Sequence, residues 1–185
     1  MILRKEFYFV RHGQTDGNKY LIQTDHGDIS INSTGRIQAE KIAPLVRGLP
    51  FQTICCSPMK RAKETLSLII PERDHFEIQE LHECSAEVWR YFESLEVRAL
   101  DKGPFVVRNF LERAKEAVNK SLEHPGPVLI VAHGGIHWAI CYWLNIQGHD
   151  WIIDNCKPVH FFVNKEKNSW EAKLLEVVQK SEKHL

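Results

Sequence analysis

The chain has 185 residues, 43% hydrophobic and 26% charged, the balance of a globular domain that can bury a core of its own. Its 24 Lys and Arg cancel 24 Asp and Glu, which argues against a nucleic-acid partner, since such binders carry a basic surplus. Five cysteines without a CxxC pair fit reduced thiols in a cytoplasmic protein, and no apolar run reaches the length of a leader or a membrane span.

The first element is Phe7-Tyr8-Phe9-Val10, four β-favouring residues that read as a buried strand. It stops on Arg11-His12-Gly13, where the glycine is expected to allow a sharp turn. His12 is a potential nucleophile or base and Arg11 a fixed cation. Thr15 and Asn18 add hydroxyl and amide donors, a set that suits a tetrahedral oxyanion such as phosphate. A polar loop follows from Lys19 to Ser30. Asn32-Ser33-Thr34-Gly35 then supplies helix-start chemistry for an amphipathic pattern that ends at Gly48, predicting a helix from about Thr34 to Arg47.

Thr53-Ile54-Cys55-Cys56 reads as a short buried strand, and Ser57-Pro58 as the cap and first turn of a helix over Met59 to Ile70. Arg61 lies in that first turn. Phe76 to Leu81 is expected to be a strand, with Glu83 and Glu87 leaving its end four residues apart. Apolar residues at helical spacing predict a long helix from Pro104 to Glu123. Val128 to Ala132 is the clearest buried strand, and it too ends in His-Gly, at His133-Gly134-Gly135. A helix over Ile136 to Asn145, two strands at Val159 to Val163 and Trp170 to Leu175, and a frayed tail from Gln179 complete the chain. Alternating strands and helices predict an α/β fold with a largely parallel central sheet and helices on both faces, one domain over residues 1–185.

Three strand ends thus carry related chemistry, and here the chain resembles the histidine phosphatase superfamily, which includes cofactor-dependent phosphoglycerate mutase. The family patterns RHG-x-T-x-x-N, L-(S/T)-x-x-G-x-x-Q-A, S-x-x-x-R-A-x-x-T, a later glutamate and HGG stand here in order. They fall at Arg11 to Asn18, Ile31 to Ala39 (with Asn32 for Ser/Thr), Ser57 to Thr65, Leu81-His82-Glu83 and His133 to Gly135. The resemblance implies a three-layer sandwich and a phosphohistidine on His12. It implies that Arg11, Arg61 and His133 hold the phosphoryl oxygens, with help from Asn18, Thr15, Gly13 and Gly134. Glu83 matches the general acid. No metal or other cofactor is implied, and the expected partner is a small phosphorylated metabolite.

The chain departs from the family where L-x-E-x-x-x-G-x-W-E-G is usual: Glu87 replaces the glycine, Trp89 is kept, and Arg90-Tyr91 replaces Glu-Gly. Glu87 is therefore a rival for the acid. The short stretch from Arg90 to Gly103 favours a phosphatase over a mutase, with Arg90, Arg98, Lys102 and Arg108 as candidate attractors of an anionic substrate. Two other readings stand beside it. One is a metal held by His133 and His137, although these lack the His-Glu-x-x-His pattern. The other is a non-catalytic phosphate-sensing module on the same fold.

Overall fold

The computed structural model describes residues 1–20, 28–94 and 103–176. Its centre is a six-stranded sheet of order β3-β2-β4-β1-β5-β6. The strands are β1 (Phe7–Arg11), β2 (Thr53–Cys56), β3 (Phe76–Glu77), β4 (Val128–Ala132), β5 (Pro158–Asn164) and β6 (Ser169–Leu174). β1, β2, β3 and β4 run parallel, while β5 and β6 form an antiparallel pair with β5 against β1. The helices are α1 (Asp16–Tyr20), α2 (Ser33–Arg47), α3 (Lys60–Ile69), α4 (Ala86–Glu93), α5 (Phe105–Glu123) and α6 (Gly134–Trp143).

The unbroken apolar runs of β1 and β4 follow from a sheet covered on both faces. Side chains alternate along a strand, so Phe7 and Phe9 enter one core with α5 and α6, while Tyr8 and Val10 enter a second with α2 and α3. β4 divides the same way, Val128, Ile130 and Ala132 to the first core and Leu129 and Val131 to the second. A one-residue slip would exchange the two sets, so the register of β1 on β4 is strongly specified. That register governs what meets at the strand ends.

Several expectations shift. Asn32 caps α2 by accepting from the Gly35 amide at 2.9 Å, but α3 is capped by Met59 without a side-chain bond, so Ser57 is not its cap. The strand expected from Phe76 shrinks to the edge pair Phe76–Glu77, and a 3-10 turn takes Gln79–Leu81. A two-residue edge leaves few unpaired groups for another chain to add to. Helix α4, capped by Ser85 through the Val88 amide, was not expected. The tail from Gln179, with Arg98 and Lys102, lies outside the described residues. Among the described residues no helix is long and apolar enough to cross a membrane.

Candidate active site

β1, β4 and β2 end side by side. Arg11 pairs with Ala132 and Cys56 with Val131, and the next amides extend both ladders. His12 N donates to the Ala132 carbonyl and Ser57 N to that of Val131, each at 3.0 Å. His12, His133 and Ser57 therefore leave the sheet together at its carboxyl end, where open α/β sheets bind ligands.

His12 is 2% exposed, and its ring centre lies 5.2 Å from that of His133. Its Nδ1 is 2.8 Å from the Gly13 carbonyl. A carbonyl only accepts, so the proton sits on Nδ1 and the lone pair on Nε2. Arg61 Nε donates to that lone pair at 3.2 Å. Burial, reinforced by the Arg11 and Arg61 guanidiniums, holds the imidazole well below its ordinary range and so keeps it neutral.

His133 is fully buried and likewise held neutral, by burial first and then by Arg61. Its Nε2 is 2.7 Å from Ser57 Oγ, which already accepts from the Met59 amide at 3.3 Å. When the serine gives its own proton to Nε2, the His133 proton sits on Nδ1. That Nδ1 and Nε of Arg11 are buried without a hydrogen-bond partner. An unmet buried polar group costs about 1–3 kcal/mol, which a bound oxyanion can relieve. Arg11 is anchored by Nη1, which donates to the Ile153 carbonyl.

The glycine after His12 serves close approach. Gly13 does not occupy the left-handed region; a methyl group on it would lie 2.6 Å from the Gly35 carbonyl oxygen, so the motif turn packs directly on the first turn of α2. Its amide donates to Thr65 Oγ1 at 2.8 Å and its carbonyl accepts from His12 Nδ1–H. Gly13 thus shapes the turn, and its amide is not free to hold phosphate, a correction to the reading from sequence. Thr15 lines the cleft, and its hydroxyl keeps its own proton as a donor while it caps α1. Its hydroxyl accepts from the Asn18 amide at 3.2 Å while Asn18 Oδ1 accepts from the Thr15 amide at 3.2 Å, a reciprocal cap on α1. Asn155 donates to Asn18 Oδ1 at 3.2 Å and to the His12 carbonyl at 2.8 Å, which turns the Asn18 amide nitrogen toward the cleft.

Glu83 arrives from the 3-10 turn. Its Oε1 accepts from the Cys84 and Gly135 amides, each at 3.0 Å, leaving Oε2 for the cleft it lines. A methyl on Gly135 would sit 2.5 Å from that oxygen, so the second glycine after His133 makes room for the carboxylate. Arg113 on α5 ties the segment down by donating to the carbonyls of Glu80 at 2.7 Å, His82 at 2.8 Å and Glu83 at 3.2 Å. Glu87 is exposed on α4 and does not line the cleft. The cleft encloses about 570 Å³, lined by Arg11, His12, Arg61 and Asn18 and also by Trp89, Ile152, Glu93 and Asp154. Gly134 opens α6 beside it, where a methyl would lie 3.3 Å from the Arg11 guanidinium carbon. Two neutral histidines, two arginines, an amide and a carboxylate around one point suit the capture of a phosphoryl group.

The model of the histidine phosphatase superfamily (branch 1) matches residues 7–175. The chain belongs to that superfamily. It is 27% identical over 164 residues to a broad-specificity phosphatase of Saccharomyces cerevisiae, covering 77% of this chain and 71% of that protein. Among solved structures it shares its fold with phosphoglycerate mutase of Thermus thermophilus, at TM-score 0.68 and 23% identity, covering 94% and 99% of the two chains. A phosphoserine phosphatase of Entamoeba histolytica in complex with 3-phosphoglyceric acid aligns with TM-score 0.69 and 16% identity over 94% and 98%.

In this superfamily member the His133–His137 pair does not form a metal site. His133 turns to Ser57, whereas His137 Nδ1 donates to the Trp151 carbonyl at 2.9 Å. His137 instead meets Cys141 and His149, the group of metal-ligating side chains that comes together among the described residues. His149 Nε2 lies 3.2 Å from His137 Nε2, and Cys141 Sγ lies 3.9 Å from both ring nitrogens of His137. His137 is thus held by the Trp151 carbonyl and by His149.

Proposed function

We propose that the chain is a phosphomonoesterase that works through a phosphohistidine on His12. The observation that carries this reading is the state of His12, neutral and buried, with its Nε2 lone pair aimed at Arg61. Nε2 attacks phosphorus and the bond to the ester oxygen breaks, while Glu83 in its acid form gives that oxygen a proton. The Glu83 carboxylate then takes a proton from water, whose oxygen attacks phosphorus. The P–N bond breaks, and His12 returns with its proton still on Nδ1. Arg11, Arg61, Asn18 and His133 Nδ1–H bind the three equatorial oxygens, where charge builds up in the transition state.

Hydrolysis is favoured over mutase chemistry by the cleft. A mutase must bind the carboxylate of phosphoglycerate and exclude water while the intermediate waits. Among the described residues lining the cleft, the only cations are Arg11 and Arg61, both at the phosphoryl end. Supplying 3-phosphoglycerate with 2,3-bisphosphoglycerate, and in parallel simple phosphoesters, separates the two. Free phosphate without interconversion of 3- and 2-phosphoglycerate is expected, with the rate unchanged by EDTA because the arginines supply the positive charge. Rapid interconversion with little free phosphate contradicts the reading. Tight binding without turnover would indicate a sensing module.

A further inference from the structure

The cleft lining beyond the phosphoryl-binding residues differs from them in character. Ile29, Ala86, Trp89 and Ile152 give it an apolar wall, and the charged side chains there are Glu93 and Asp154, both exposed. Trp89 is held in place: it packs edge-on against Phe92 at 6.0 Å, and a methyl on Gly134 would come within 2.9 Å of its ring. A ring fixed in this way offers a flat surface with no ordering cost on binding. Ile152 stands 53% exposed at the mouth, apolar area that a bound ligand would cover. Arg90 and Arg108, candidates for attracting an anion, do not line the cleft.

From this arrangement we infer that the preferred substrates are phosphomonoesters of neutral or amine-bearing alcohols with a flat apolar face, not phosphorylated acids. The inference rests on the phosphomonoesterase reading above. A phosphoryl dianion is met by Arg11 and Arg61. A second anionic group on the alcohol would face Glu93 and Asp154, and among the described residues lining the cleft the cations are Arg11 and Arg61, already engaged by the phosphoryl group, so like-charge repulsion lowers affinity. An ammonium group would instead find two carboxylates, and an aromatic ring would lie on Trp89 beside Ile152.

Three esters with similarly poor leaving groups test this: 2-phenylethyl phosphate, phosphoethanolamine and 3-phosphoglycerate, each assayed by phosphate release at low salt. For the wild-type chain, kcat/KM is expected to be at least about tenfold higher for the first two than for 3-phosphoglycerate. Glu93→Lys and Asp154→Lys, both at exposed positions, should each raise the ratio of kcat/KM for 3-phosphoglycerate to that for phosphoethanolamine by about tenfold. Trp89→Leu should lower kcat/KM for 2-phenylethyl phosphate relative to phosphoethanolamine. A wild-type preference for 3-phosphoglycerate, or a charge ratio unmoved by both lysine variants, overturns the substrate class while hydrolysis of p-nitrophenyl phosphate still supports the phosphatase. Failure to release phosphate from any of the four esters overturns both.

Discussion

Replacing Glu83 with glutamine should slow hydrolysis of an alkyl phosphate by about 10²–10⁴-fold, the usual contribution of a positioned general acid. The amide keeps the acceptor oxygen that takes the Cys84 and Gly135 amides, so the segment stays in place, but it has no proton to give. p-Nitrophenolate leaves without a proton, so p-nitrophenyl phosphate should lose far less in its first step. Comparing kcat for the two esters in Glu83→Gln and Glu87→Gln decides which carboxylate acts. Glu87 is exposed on α4 and outside the cleft, so its variant should resemble wild type on both esters. The reverse pattern would transfer the acid role to Glu87.

Arg61→Ala should lower both kcat and kcat/KM by about 10³-fold or more, the scale set by an arginine that stabilises a transferring phosphoryl group. Arg61 is 8% exposed, and it both donates to His12 Nε2 and faces the oxyanion site, so the reacting nitrogen and the charge that develops are served by one guanidinium. A parallel fall in the two constants marks an interaction made in the transition state. Arg61→Lys keeps the charge in similar volume but loses the planar fork, and it should recover only part of the activity. A variant with unchanged kcat and a raised KM would show that Arg61 merely binds substrate, contrary to the mechanism.

Much of the site was legible because it sits where periodicity changes. The runs Phe7 to Val10 and Val128 to Ala132 are apolar at every position, since both faces of the sheet are covered, and each ends abruptly in His-Gly. The parallel pairing of those two strands then brings His12 to His133. What could not be read arrives from segments without a local pattern. Asn155 comes from the chain entering β5, lines the cleft and holds the His12 carbonyl and Asn18. Arg113 looks like one more polar residue on the long helix α5, yet it holds three carbonyls around Glu83. Ser57 carries helix-cap chemistry in its sequence, but the register of β2 on β4 brings it to His133 instead. Gly13 reads as a turn residue, and only the approach of Gly35 shows that the missing Cβ is what matters. His149 reaches His137 from a loop beyond α6, so that contact has no signature in spacing.

The covalent step is tested most directly by trapping it. The chain is mixed with a radiolabelled phosphoester, quenched by denaturation in base, and the protein-bound label is then exposed to acid. A phosphohistidine is a phosphoramidate, stable in base and labile in acid, so the wild-type chain should retain label through the base quench and release it as inorganic phosphate in acid. Glu83→Gln with p-nitrophenyl phosphate should retain more, because water is activated slowly once the phosphoryl group has transferred. His12→Ala should carry none. Label that survives acid, or label that persists in His12→Ala, would contradict the account.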